Sequence, residues 1–242
     1  MRRAGFSLDV TNMRTALRVA VATGVFAIGH SLLASTKAKD ALARRVRFGR
    51  ELYRFAYNAQ AVLAFGGLAW FIARQPKRTL YRVRGPAAAL LRLGQLSGVA
   101  FGIAAARATG VAKLSGLDNL VSILTGMPAQ QAPAAQGPEA DERGVLRARG
   151  PFKLVRHPLN VAPLTAFWLA PHMTTRRLAF NVVATAYLVL GSVHEEQRLL
   201  RAYGEAYRKY QDEGVPFFWP AMTPRKQMAT PEGSELTAET DH

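Results

Sequence analysis

KLVRHPLN at 153–160 and HEEQRLLRAYGEAYRKY at 194–210, followed by VPFFWP at 215–220, decide how this chain is read. Between the first two lies an apolar stretch long enough to cross a bilayer and return. An Arg156–His157 pair just before the outgoing crossing and a Glu195–Glu196 pair just after the return then meet at one membrane face. Ionisable groups near hydrocarbon are costly and are mostly kept there for function.

The same alternation of apolar block and basic connector runs upstream. Apolar stretches occupy 17–33, 52–73, 87–106, 158–173 and 178–194. This predicts an all-α integral membrane helical bundle of about five transmembrane helices, ending in a C-terminal surface helix. The third stretch carries Arg92 and Gln95. The last two fall short of the roughly 20 apolar residues that a spanning helix needs, so they extend into polar flanks or bend. Pro158, Pro163 and Pro171 fit such a span where neighbouring helices cover the freed carbonyls. From Glu195 to Gln211, Leu199, Ala202, Ala206 and Tyr210 recur at helical spacing with charges between them, as in a helix lying along the surface. Residues 127–142, rich in Pro, Ala and Gln, read as a flexible loop. Residues 1–220 read as one membrane domain and 221–242 as a disordered tail.

Composition agrees with that reading. The 242 residues are 49% hydrophobic, yet mean hydropathy is +0.00, because apolar blocks and basic connectors average out. Lys plus Arg is 32 against 16 Asp plus Glu, a formal net charge of +16. Such a balance also suits nucleic acid, but here the cations sit in short connectors, which points to anionic lipid head groups and not to nucleic acid. Zero cysteines exclude disulfides, zinc–thiolate sites and a cysteine nucleophile. No metal site is expected. The basic N-terminus and first apolar run could be a signal peptide, but they lack a compact apolar region with a small-residue cleavage site and read as an uncleaved span. Lys and Arg are in excess on the connectors that share a side with the C-terminus, which puts that side in the cytoplasm.

The segment from about Gly150 to Pro220 resembles the membrane methyltransferase superfamily of isoprenylcysteine carboxyl methyltransferases, phospholipid N-methyltransferases and methanethiol S-methyltransferases. The residues carrying the resemblance are Arg156-His157-Pro158, Glu195-Glu196, Leu199, Tyr203-Gly204, Tyr207, Tyr210 and Val215-Pro216 with Pro220. The hairpin FWLAPHMTTRRLAFNVVATAYLVLG, GHSLLAS at 29–35 and YRFAYN at 53–58 are most similar to the methanethiol-methyltransferase-like branch and the related NnrU-like membrane proteins. The chain departs from the pattern at Asn160, where the motif has tyrosine, and at Ala162, where it has glycine.

The resemblance implies a bacterial inner-membrane enzyme using S-adenosyl-L-methionine, with its site facing the cytoplasm. It implies a cofactor site made by Arg156, His157, Pro158, Asn160, Glu195, Glu196, Tyr207 and Tyr210. Arg156 offers a fork of donors for the methionyl carboxylate, and a glutamate offers a partner for the ammonium or ribose. The acceptor would be a small or lipophilic thiol, with His30 and Arg54 on its side of the site. Other readings stay open. Arg156 and His157 would also suit a basic membrane boundary, the Glu pair a solvated helix face, and Tyr203, Tyr207 and Tyr210 an interfacial aromatic belt. His30 is either a hydrogen-bonded core histidine or a base for the thiol. Arg54 and Asn58, one turn apart, either clasp His30 or face the acceptor. At the level of the whole protein the rivals are a phospholipid amine or isoprenylated carboxylate as acceptor, a sterol-reductase-like enzyme, and a non-catalytic NnrU-like scaffold.

Overall fold

A computed structural model of the chain describes residues 10–45, 49–128, 137–138, 146 and 148–218. The expected tail at 221–242 and most of the loop at 127–142 lie outside the described residues, as does Pro220. In chain order the elements are α1 (Val10–Leu33), α2 (Thr36–Arg45), α3 (Gly49–Arg74), β1 (Thr79–Arg82), α4 (Gly85–Thr109), α5 (Val111–Ser115) and α6 (Leu117–Thr125). A 3-10 turn at Gly150–Lys153 leads into α7 (Pro158–Trp168), β2 (His172–Thr174), α8 (Thr175–Tyr203) and α9 (Glu205–Asp212). Among the described residues the fold is all-α apart from one two-stranded antiparallel ladder, β1 with β2.

Among the described residues four helices, α1, α3 from Glu51, α4 and α8, are long and apolar enough to cross a membrane. Their side chains are arranged inside out relative to a water-soluble bundle. Large apolar residues point outward, with Val62 72% and Leu63 77% exposed. Small and hydroxyl-bearing residues point inward: α1 buries Thr15, Val19, Thr23 and Ala27, each one turn after the last. α1 packs chiefly on α8 and also on α3. Lipid tails are as apolar as leucine, so helices associate through close packing of small residues and not through exclusion of water. Gly94, Gly98 and Gly102 of α4 make a second such stripe, against α7. A Cβ at Gly98 would fall 1.7 Å from Thr165 Oγ1.

The stretch 158–173, expected as a span, is a helix for 11 residues only. Eleven residues rise about 16 Å, roughly half the ~30 Å hydrocarbon core. Pro171 is the reason: it has no N–H to bond the Phe167 carbonyl and cannot continue the helix. Beyond Trp168 the chain bends through 169–171 into β2, and its carbonyls are satisfied from neighbouring elements. Asn181 Nδ2 donates to Phe167 O at 2.6 Å, Gln95 Nε2 to Ala166 O at 3.0 Å, Tyr81 OH to Ala170 O at 3.1 Å, and Val83 N to Pro171 O at 2.7 Å. Irregular backbone at membrane depth persists only where the protein covers it in this way.

α8 is 29 residues long, about 43 Å, and so projects beyond the bilayer at one end. Gly204 then turns the chain with φ +52 and ψ −122, a conformation closed to residues with a Cβ, and α9 folds back beneath. Leu199, Tyr207, Tyr210 and Val215 form one buried cluster there. Val155, Val161, Leu164 and Phe218 form a second, so the C-terminal segment through Phe218 is part of the core.

Candidate functional site

Glu195 and Glu196 are consecutive residues of a regular helix, so their side chains leave α8 about 100° apart and cannot serve one group. Glu196 faces α7. Its Oε1 accepts three hydrogen bonds, from Arg156 Nε at 2.9 Å, His157 Nε2 at 3.0 Å and Tyr207 OH at 2.7 Å. Its Oε2 accepts from Gln211 Nε2. Pro158 at the first position of α7 fixes where that helix begins, so the two preceding residues lie outside it and turn toward α8.

The C-terminal segment closes over this cluster. Arg156 N donates to Pro216 O at 2.9 Å and Arg156 Nη1 to Val215 O at 3.0 Å. The Phe217 ring meets His157 edge-on at 5.0 Å and lies 5.6 Å from the Arg156 guanidinium carbon. Arg156 Nη2 makes no hydrogen bond among the described residues. One turn before Glu196, Ser192 accepts from Asn160 Nδ2 at 2.8 Å and donates to Leu188 O at 2.9 Å. Burial first, and then the bond to Glu196, holds the Tyr207 phenol well above the ordinary tyrosine range. Tyr210 donates to the Phe152 carbonyl and latches α9 to the 3-10 turn.

Glu195 points to a different charged group, with Arg198 Nη1 3.6 Å from its Oε2. Lys39 of α2 belongs to the same group. Its amine is held below the ordinary lysine range, by burial first and then by Arg198 and Arg54, while Glu195 and Asp40 oppose them. Arg54 makes no hydrogen bond among the described residues. Asn58 donates to Leu114 O at 2.7 Å and Ser115 O at 3.1 Å, which ties α5 to α3 and turns it away from His30.

His30 is held instead by Tyr57, whose hydroxyl is 2.6 Å from Nε2 and 3.4 Å from the His30 carbonyl. The hydroxyl can give its proton to that carbonyl while accepting Nε2–H, which leaves the lone pair on Nδ1. That Nδ1 is buried and has no hydrogen-bond partner among the described residues. Phe26 stacks on the ring at 5.6 Å and Tyr187 of α8 meets its edge at 6.2 Å. Tyr187 and Glu195 are eight positions apart on α8, about 12 Å along its axis.

The sequence-predicted residues therefore fall into two groups on either side of α8. Arg156, His157, Glu196 and Tyr207 form one, with Pro158, Asn160 and Tyr210 supporting it. His30, Arg54 and Glu195 lie on the other side. Gln211, Ser192, Tyr57 and Tyr187 are not among the sequence-predicted residues. Tyr57 carries a signal, since it follows Tyr53 by one turn in YRFAYN; Gln211 sits among charges in an amphipathic helix and carries none.

Fold and site together define a multi-pass integral membrane protein with a buried Arg–His–Glu–Tyr cluster where its longest helix leaves the bundle. Part of the chain is similar to bacterial methanethiol S-methyltransferases. It is 47% identical over 62 residues to the Methanethiol S-methyltransferase of Pseudomonas sp. (strain GM41(2012)), covering 26% of this chain and 24% of that protein. It is 39% identical over 82 residues to that of Pseudomonas deceptionensis, covering 34% and 31%, and 40% identical over 62 residues to that of Mycobacterium tuberculosis, covering 26% and 25%. The matched stretch thus spans between a quarter and a third of the length of these relatives. No protein-family model and no solved structure matches.

Proposed function

We propose that this protein transfers a methyl group from S-adenosyl-L-methionine to a small or lipophilic thiol, at the cytoplasmic face of a bacterial inner membrane. One observation carries the reading. Arg156 and His157 lie about 40 positions from Glu196 in sequence, yet they converge on one of its oxygens. These are the motif residues of the methyltransferase resemblance, and curated relatives of part of the chain are methanethiol S-methyltransferases.

The residues fit such a donor. It has a carboxylate and an ammonium, which call for a cation and an anion. Arg54 offers the first and Glu195 the second, both on the side of α8 that His30 shares, while Glu196 is committed to orienting Arg156, His157 and Tyr207. When bound, S-adenosyl-L-methionine supplies a methyl on a sulfonium sulfur, already activated for in-line displacement. The protein then has to align the acceptor and exclude water. His30 Nδ1 serves as the base: it takes the proton of the thiol, because the thiolate and not the thiol is the nucleophile. Tyr57 holds Nε2, and the tautomer with its proton on Nε2 leaves Nδ1 able to do so. The new sulfur–methyl bond forms as the sulfonium–methyl bond breaks, so the products would be the methylated thioether, S-adenosyl-L-homocysteine as the leaving group, and a proton passed to His30.

Binding of labelled S-adenosyl-L-methionine to the detergent-purified chain, followed by methylation of methanethiol, tests this directly. Saturable binding and thioether formation, with turnover lost in His30→Gln, support it. A well-folded chain that binds no cofactor refutes it and transfers the weight to a reductase-like or non-catalytic scaffold.

A further inference from the structure

At the opposite end of the bundle from Glu196 lies a cavity of about 510 Å³ that the proposed chemistry does not use. Arg176, on its rim, is twenty positions from Glu196 on α8, about 30 Å along the helix, so the two lie at opposite interfaces of a bilayer. The cavity sits between α3, α8 and the β1–β2 ladder. Its wall is apolar: Phe65, Leu68 and Ile72 of α3 with Phe180 of α8. Phe65 is 46% exposed on the lipid-facing side, and its ring lies 5.8 Å from Phe26 and 6.3 Å from Phe180. The mouth is cationic, lined by Lys77, Arg177 and His172.

These cations are unbalanced. The sequence has no Asp or Glu between Leu52 and Leu117, nor between Gly144 and His194. No ion pair reaches Lys77, Arg176 or Arg177 among the described residues. Arg176 is engaged structurally, since its Nη1 donates to Ala73 O at 2.6 Å and Gln75 O at 2.8 Å and so caps the C-terminus of α3. Lys77 makes no comparable bond among the described residues, and Arg177 Nη1 makes only a 3.4 Å contact with His172 O. The His172 imidazole is held below its ordinary range, by desolvation first and then by Arg82, Lys77 and Arg177, as expected beside a crowd of cations. Trp70, 60% exposed with Arg74 4.3 Å over its ring, marks the same level as a water–lipid boundary.

We infer that this cavity holds one anionic phospholipid, its phosphate at Lys77 and Arg177 and the upper part of an acyl chain against Phe65, Leu68, Ile72 and Phe180. Cations at the interface above an apolar wall between membrane helices fit an amphiphile whose charge and chain are joined. The inference is independent of the methyl-transfer reading, because no residue is shared with that site.

The test uses the full chain in detergent, titrated separately with dioleoyl phosphatidylglycerol, dioleoyl phosphatidylcholine and inorganic phosphate. Melting temperature and lipid retained in native mass spectra are read together. Phosphatidylglycerol should raise the melting temperature saturably and be retained one per chain, and phosphatidylcholine and phosphate should do neither. Lys77→Gln with Arg177→Gln should weaken the phosphatidylglycerol effect by about 30-fold, taking roughly one step of interfacial attraction per cation. The variant's melting temperature without lipid should match the parent's, since Arg176 and its cap remain. Equal response to phosphatidylcholine, full reproduction by phosphate, or an undiminished response in the variant would each overturn the assignment. S-adenosyl-L-methionine binding in the same samples reports the other site separately.

Discussion

The Tyr207 hydroxyl lies 2.7 Å from Glu196 Oε1, and this bond joins the short α9 to the end of the longest membrane helix. Tyr207 is fully buried, so its phenolate form is strongly disfavoured in the folded protein. Below pH 10, the ordinary tyrosine value, folded and unfolded chains both carry the proton and the contribution is fully present. Above it the unfolded chain releases the proton while the folded one retains it, so stability falls as pH rises, by up to about 1.4 kcal/mol per pH unit from this one group. Tyr207→Phe removes that component. Melting temperatures from pH 8 to 11 should show the variant less stable at pH 8, by about 1–2 kcal/mol, with the gap narrowing above pH 10. A gap that stays constant would mean the phenol is not held by Glu196.

The two glutamates should separate cleanly. Glu196→Gln leaves Arg156 and His157 facing a neutral amide in a buried setting, and loss of one member of such a network costs about 3–5 kcal/mol. Glu195→Gln removes a partner of Arg198 at 3.6 Å and should shift stability by less than about 1 kcal/mol while weakening cofactor binding. Thermal unfolding beside a binding isotherm distinguishes them. Equal destabilisation by both substitutions would contradict the division of labour across α8.

Gly98 tests the packing on which the hairpin depends. Its α carbon faces Thr165 with no room for a methyl, and Gly102 meets the Ala162 methyl, to which a Cβ would come within 3.1 Å. Gly98→Val should therefore destabilise by about 1–3 kcal/mol, the usual range for overpacking, or force α4 and α7 apart. Gly66, with nothing within 4 Å of an added Cβ, is the control, and Gly66→Ala should be neutral or slightly stabilising. Melting curves of the two variants in one detergent decide between these outcomes.

Much of this arrangement is legible in the sequence, and what is not has physical causes. Long apolar runs mark four spans because length and hydropathy suffice for a regular helix. Prolines mark the short fourth crossing as irregular, but its path is not readable: non-helical backbone in a membrane depends on donors such as Asn181, Gln95 and Tyr81, none of them adjacent to it in the chain. The β1–β2 ladder leaves no trace in the sequence, because strands of four and three residues carry no alternation to detect. The convergence of Arg156, His157 and Glu196 follows from the motif order. The different directions taken by Glu195 and Glu196 follow from helix geometry, but which one faces α7 depends on the rotation of α8, and that is set by packing with α1 and α7.

His30 and Tyr57 give the most direct test of the acceptor side. A general base of this kind contributes about 10²- to 10⁴-fold to the rate. His30→Gln should lower kcat for methanethiol by that order and leave S-adenosyl-L-methionine binding unchanged, because no cofactor-facing residue is altered. Tyr57→Phe keeps the ring packing with His30 at 4.8 Å and removes only the hydroxyl that holds the imidazole through Nε2. Its effect should be smaller than that of His30→Gln. It should also shrink for a more acidic thiol acceptor, which arrives already ionised and needs no base. Raising the assay pH should rescue both variants in parallel. If both lose cofactor binding instead, His30 is a structural residue of the α1–α3–α8 contact and the base must be sought elsewhere.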